Sequence, residues 1–239
     1  MRFKGKMMRS AVFVSLLSAL IACGSDTPSS EPLSINSDPL SICGKTSDFI
    51  PINRYTGPLT WVQKREGAVG RLNRGCSGTF IGNHANKTNL FITAGHCIEK
   101  GGAAKVEFNY EAAPDGPVVT VRGVALESSK NPDYALIRLD SNPGIAPTPI
   151  GTRLSQNLAI IQHPGGEQKV IAVGKLSNSS TASRIFYSGL DTRGGSSGSG
   201  ILDDSGSLIG VHTNGGCSAT GGTNAGWLIS KIRAASSIL

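Results

Sequence analysis

The sequence predicts an all-β protein of the sandwich or barrel class. Three observations carry this: short β-like runs recur along the chain, Gly, Pro or Asn punctuates nearly every one, and no helical period separates them. With 31 glycines in 239 residues the chain is rich in turns, and once a leader and tail are removed enough remains for one domain with its own core.

The elements follow in order. An apolar hairpin runs through Gly78-Thr79-Phe80-Ile81, turns at Asn83-His84-Ala85-Asn86-Lys87 and returns through Leu90-Phe91-Ile92. Further runs cover 103–110, Val118–Val121, Tyr134–Leu139, Ala159–Ile161, Lys169–Val173, Arg184–Tyr187, Leu208–Val211 and Trp227–Ile229. Lys231–Ala235 suits a short C-terminal helix. No internal repeat is visible.

The first 22 residues read as an export signal: Arg2, Lys4, Lys6 and Arg9, then an apolar run from Ala11 to Ala22 that is too short to span a bilayer. Its end, Leu20-Ile21-Ala22-Cys23, resembles a bacterial lipobox, which makes Cys23 the candidate for lipidation; the alternative is an ordinary signal cut near Ala22. Gly24 in place of an Asp after Cys23 favours the outer membrane. Residues 23–42 are Ser-, Pro- and Asp-rich and suit a flexible tether or propeptide-like segment, with the folded domain at 43–239. The formal charge of +7 shrinks to +3 over residues 23–239, since four basic residues sit in the leader (19 Lys+Arg against 16 Asp+Glu). That balance implies no nucleic-acid partner.

Five cysteines leave one over, and assigning Cys23 to lipid leaves Cys43, Cys76, Cys97 and Cys217 with three possible pairings. The hairpin joining Cys76 to Cys97 favours that pair, which leaves Cys43 with Cys217. A bridge closing such a loop is worth about 3 kcal/mol and pins the segment that carries His96. No CxxC or HxxxH spacing occurs, so the cysteines predict disulfides of an oxidising compartment and no metal.

Gly195-Ser196-Ser197-Gly198-Ser199-Gly200 would read as a linker on its own, but Ile92-Thr93-Ala94-Gly95-His96-Cys97 supplies the partner that a serine nucleophile needs. A hydroxyl at neutral pH requires a base, a carboxylate to hold that base, and donors for the oxyanion. Asp133, at the mouth of the apolar run Tyr134–Leu139, is the best carboxylate, because burial there demands a partner. Gly194-Gly195-Ser196-Ser197-Gly198 also fits the G-x-S-x-G nucleophile elbow with Ser196 attacking. That fold needs a histidine well downstream, and His212 is too near.

Thr93-Ala94-Gly95-His96-Cys97, Asp133-Tyr134-Ala135-Leu136 and Gly195-Ser196-Ser197-Gly198-Ser199 resemble, in that order, the three signatures of chymotrypsin-fold, trypsin-like serine proteases. The resemblance covers roughly residues 60–239. It implies two six-stranded antiparallel β-barrels with the active site between them, His96 and Asp133 from the first and Ser197 from the second. Ser197 would be the nucleophile, His96 the general base and acid, and Asp133 its orienter; the backbone N–H groups of Gly195 and Ser197 would form the oxyanion hole. The activity implied is a cofactor-free, monomeric serine endopeptidase acting on protein or peptide substrates, with membrane contact only through a lipid on Cys23. The second class is an inactive binding protein on the same fold.

Ser196 stands where animal trypsins carry an aspartate, and no Ile-Val-Gly-Gly start exists, so the chain resembles the bacterial branch, lysyl and glutamyl endopeptidases in particular. The stretch Gly210-Val211-His212-Thr213 and Gly216–Gly221 is similar to the lysyl type, which also pairs an N-terminal cysteine with the one at Cys217. The acid that binds substrate lysine there is missing from Gly222–Trp227. Asp191, six residues before Ser197, has the spacing of the basic-specific aspartate of trypsins, whereas Thr192 and His212 resemble the pair that contacts a substrate carboxylate in glutamyl endopeptidases. Asp191, Thr192, His212 and Thr213 are therefore the candidate substrate-binding residues. His163 is expected to be a loop histidine, and Trp61 to pack where the first barrel begins.

Overall fold

A computed structural model describes residues 41–113 and 116–239. The signal segment, Cys23 and most of the tether lie outside the described residues.

The chain winds two β-barrels in succession. The first comprises β1 (Val69–Leu72), β2 (Cys76–His84), β3 (Lys87–Thr93), β4 (Ala103–Phe108), β5 (Val119–Lys130) and β6 (Asp133–Leu139). These lie in the order β1-β2-β3-β6-β5-β4, and β4 closes on β1 through Arg71↔Glu107 and Leu72↔Val106. The second comprises β7 (Asn157–Gln162), β8 (Val170–Leu176), β9 (Arg184–Ser188), β10 (Gly200–Leu202), β11 (Leu208–Asn214) and β12 (Asn224–Leu228). Its order is β7-β8-β9-β12-β11-β10, closed by Ile201↔Ile160, with Ile50–Pro51 adding to β8. Six antiparallel strands therefore close each barrel in the same winding, a repeat that exists in topology and not in sequence. Closure leaves no long unpaired edge on either barrel.

Apolar side chains explain each closure. Phe91 and Phe80 meet Phe108 edge-to-face, at centroid distances of 5.9 and 6.5 Å, inside the first barrel. Leu158, Ile160, Ile185, Tyr187 and Ile201 fill the second. A third cluster forms the seam: Ile92, Ala94, Tyr134 and Leu136 from one barrel pack with Leu202, Leu208 and Val211 from the other. The C-terminal helix α1 (Ile229–Ala235) contributes Ile229 and Ile232 to this seam. Beyond the helix, Glu127 of β5 accepts hydrogen bonds from Ser236 Oγ (2.6 Å), Ser237 N (2.9 Å) and Ser237 Oγ (2.5 Å), so the end of the chain is tied back to the first barrel.

The expected runs at 103–110 and Tyr134–Leu139, and those from Ala159 to Val211, appear as strands. Three differences have identifiable causes. β1 carries no apolar pattern because its sequence, Val-Gly-Arg-Leu, includes a buried arginine whose charge Glu107 neutralises at 2.7 Å. β10 is only three residues long and starts at Gly200, the last residue of the glycine-serine run, so no apolar run marks it. Ile229 opens the helix instead of closing a strand, and β12 starts earlier, at Asn224, whose side chain is fully buried and satisfied by Gly216 N, Cys217 N, Ser41 O and Leu190 O. Trp61 packs against the seam cluster that both barrels share, lies over Gly206 and donates to Asp204 O at 2.9 Å, so it also braces the second barrel.

Both disulfides are formed, Cys43–Cys217 and Cys76–Cys97, with Cα separations of 4.7 and 6.2 Å.

Candidate active site

His96 sits in a single 3₁₀ turn (Gly95–Cys97) that follows β3. Asp133 opens β6, and the β3–β6 pairing, Thr93↔Ala135, sets the two residues side by side. The carboxylate holds the histidine twice: Oδ2 lies 2.7 Å from His96 Nδ1, and Oδ1 accepts the His96 backbone N–H at 3.0 Å. An acceptor facing Nδ1 fixes the tautomer with the proton there, which leaves Nε2 free to take another. Burial alone would raise the Asp133 pKa. The hydrogen bonds and charge of His96, with the backbone N–H of Gly95, outweigh it and hold the carboxyl below its ordinary value. The Asp133 side chain is 15% exposed and that of His96 40%, so the acid is sheltered while the imidazole faces the cleft. Ser128 Oγ and Lys130 Nζ donate to Gly95 O at 3.1 and 3.0 Å and brace the turn from behind.

The serine loop leans on that turn. Gly198 has φ +88°, and a Cβ there would come within 2.0 Å of Thr93 Oγ1 and 2.3 Å of Ser77 O. Only glycine permits this approach of the loop to the segment leading to His96. Of the three serines, Ser196 and Ser199 are fully buried and Ser197 is half-buried. Ser196 Oγ is further used as acceptor for Arg193 N at 2.9 Å. No hydrogen bond joins the Ser197 hydroxyl to His96 among the described residues; backbone contacts bring the two loops together.

Four consecutive carbonyls of the loop are held by donors. Gly194 O accepts from Gly165 N (2.5 Å), Gly195 O from Ser77 Oγ (2.9 Å), Ser196 O from Ser199 N (3.1 Å) and Ser197 O from Ser77 N (2.9 Å). In a trans peptide the N–H points opposite to the preceding C=O. Fixing Gly194 O and Ser196 O thus also fixes the N–H groups of Gly195 and Ser197, which have no protein partner among the described residues. Gly195 has φ +93°, and a Cβ there would lie 2.7 Å from Gly165 N and His163 O.

This bracing was invisible in the sequence. Ser77 links Gly195 and Ser197 and also accepts His163 N–H at 2.9 Å. Arg71 donates to Gly166 O at 2.7 Å, pairs with Glu107 and stacks on Tyr110 at 3.5 Å. His163 is indeed in a loop but fully buried, its Nδ1 donating to Glu167 O at 2.9 Å. Burial, chiefly, pushes its pKa down to about 3, so it is a neutral prop.

The four candidate substrate residues separate into two pairs. His212 and Thr213 lie beside the serine loop: His212 O accepts Gly198 N–H at 2.8 Å, its ring meets the Tyr187 hydroxyl, and burial drives its pKa down to about 3. Thr213 Oγ1 bonds Asn214 Oδ1 at 2.8 Å. Asp191 and Thr192 instead grip the N-terminal segment. Asp191 Oδ1 accepts Cys43 N–H (2.7 Å), Oδ2 accepts Asp48 N–H (2.6 Å), and Thr192 N donates to Ser41 O (3.0 Å). A carboxylate spending both oxygens on backbone N–H groups is poorly placed to receive a substrate cation. Burial first, with the Asp48 charge, raises the Asp191 pKa against those hydrogen bonds.

Ligand atoms of Cys76, His96 and Cys97 lie within 4.8 Å of one another, but the two sulfurs are bonded to each other and make no metal site.

Comparison with known proteins places this geometry. The trypsin-like peptidase domain family matches residues 76–211. A secreted RxLR effector protein of Plasmopara viticola is 26% identical over 174 residues, which is 61% of this chain and 42% of that protein, so the chain spans about two fifths of its length. Among solved structures, a Glu endopeptidase bound to MPD is 20% identical with a TM-score of 0.53, covering 70% of this chain and 88% of that one. A serine endoprotease from Yersinia pestis is 16% identical with a TM-score of 0.59, covering 75% and 65%. At these identities the structural matches speak for the fold alone.

Proposed function

The chain belongs to the trypsin-like peptidase family, and from that premise we propose that it is a serine endopeptidase. The observation that carries this reading is a histidine held twice by Asp133 beside a loop in which Ser197 alone of three serines is not fully buried. In the proposed reaction the Ser197 hydroxyl attacks the scissile carbonyl while His96 Nε2 takes its proton. Asp133 keeps the imidazole in the required tautomer and stabilises the imidazolium. The N–H groups of Gly195 and Ser197 bind the oxyanion. His96 then protonates the leaving amine, and water, activated by the same imidazole, hydrolyses the acyl-enzyme. The hydroxyl–imidazole hydrogen bond that this step needs forms in the Michaelis complex.

We assign residues 1–22 to an export signal, Cys23 to lipidation and 23–42 to a tether. Two disulfides and the secreted relative support export, to the outer membrane or the space beyond the inner membrane. Thr192, His212 and Thr213 stay as candidates for the substrate pocket, and the N-terminal anchorage of Asp191 argues against its binding a basic substrate side chain.

The missing Ser197–His96 bond also favours one rival, an inactive binding protein on this fold. Hydrolysis of a denatured-protein substrate by the disulfide-bonded chain separates the two. Activity lost by at least about a thousandfold in Ser197→Ala is expected; equal activity in both, or none in either, would reject the peptidase.

A further inference from the structure

Arg184 opens β9, whose first residues pair with β12. Its guanidinium lies 4.7 Å from the ring centre of Trp227, its register partner on β12, and 5.7 Å from that of Phe186. Nη2 donates to Asn214 Oδ1 at 2.9 Å. Asn214 ends β11 two residues after His212, whose carbonyl holds the Gly198 N–H. At about 3.3 Å per strand residue, the residue anchoring Arg184 is only about 7 Å along the strand from the one bonded to the serine loop. Trp227 packs against the seam cluster, to which both barrels contribute. The Arg184 side chain is thus tied to the strand whose His212 carbonyl holds the serine loop, and the charge of Asp133 acts on it.

A second arginine shows what a structural role looks like in this protein. Arg71 is also stacked on an aromatic ring, but it is buried and paired with Glu107. Arg184 is only partly buried and joins no ion pair among the described residues, and its Nε is buried without a partner. Burial presses its pKa down, while Tyr187 and Asp133 act the other way. A cation that gives up part of its hydration, with no carboxylate to meet it, suits an anionic ligand. Trp227, 4.7 Å from the guanidinium carbon, and Asn214 hold the group in place for such a contact.

We propose that Arg184 is a substrate-recognition residue, which binds a carboxylate side chain of the peptide within a few residues of the bond presented to Ser197. This rests on the peptidase reading for its substrate and names an acidic peptide as the preferred class.

The test uses peptide pools in which Glu or Gln is fixed at each of four positions on either side of a randomised cleavage site. At one position the protein is expected to favour Glu over Gln by about tenfold in kcat/KM. Arg184→Gln should bring that ratio close to one, and Arg184→Lys, which keeps the charge and loses the planar fork, should retain part of it. No Glu preference at any position, or a preference that survives Arg184→Gln, overturns the proposal. The same pools, retained on immobilised Ser197→Ala protein and read by mass spectrometry, need no turnover. Glu enrichment lost in the Ser197→Ala, Arg184→Gln double variant supports the proposal even if the native chain hydrolyses nothing, an outcome that rejects the peptidase alone. Equal retention of Glu and Gln peptides overturns it.

Discussion

In the proposed mechanism, Ser77 is the residue on which the aim of the Gly195 and Ser197 N–H groups turns. Its hydroxyl donates to Gly195 O and accepts His163 N–H, and its own N–H holds Ser197 O. Ser77→Ala removes the hydroxyl and leaves a buried carbonyl and a buried N–H unpaired, so the loop loses its fixed aim while the substrate cleft keeps its shape. We expect kcat to fall by about tenfold with KM changed by no more than about twofold, and Ser77→Thr, which keeps the hydroxyl, to recover part of the rate. A change confined to melting temperature would assign Ser77 to stability instead. The contact between His96 and Asp133 was within reach of the sequence because Thr93–Cys97 and Asp133–Leu136 are each contiguous motifs. Ser77 and Arg184 were not: their partners lie 118 and 30 residues away in sequence, and nothing local marks a serine after a cysteine or an arginine at a strand start.

At the scale of elements, the N-terminal segment is a strap over the loops behind the serine. Cys43–Cys217 joins it covalently, Asp191 takes two of its N–H groups, and Gly44 N donates to Ser218 O at 3.1 Å. The bridge spans 174 residues, for which loop-closure entropy predicts about 5 kcal/mol of stabilisation. Replacing both cysteines by serine should lower unfolding stability by several kcal/mol in denaturant titration; a variant as stable as the native chain would refute that role. The C-terminal anchor is electrostatic. Burial alone would raise the Glu127 pKa, but bonds from Ser236, Ser237 and Tyr134 bring it below 4.5. Since the folded value is the lower one, this contribution is complete above about pH 4.5 and is lost as pH falls through the folded value. Glu127→Gln should therefore melt below the native chain at pH 7, with the gap closing towards pH 3; an equal gap at both would contradict the assignment. The strands that sequence revealed were the continuous apolar ones, whereas β1 and the start of β12 depend on Arg71 and Asn224, polar residues buried by partners that only the tertiary fold supplies.

At the scale of the whole molecule, two barrels of identical winding meet along an apolar seam, to which Ala94, two residues before His96, and Val211, next to His212, both contribute. In the proposed mechanism the first barrel contributes a base already oriented by its acid, and the second a loop whose peptide groups are pre-set by donors from both barrels. Such an arrangement meets developing negative charge with dipoles that need no further reorganisation. The sequence announced the order of the three motifs and the class of fold; the seam itself, built from Ala94, Tyr134 and Val211 among others, has no pattern that distinguishes it from either barrel's interior. The central claim is that Ser197, activated by His96, is the nucleophile. Reaction of the folded, disulfide-bonded protein with a fluorophosphonate, followed by peptide mass mapping, tests it most directly. The expected result is a single adduct on Ser197 that disappears in His96→Ala. No adduct, or one carried by Ser196 or Ser199, would contradict it.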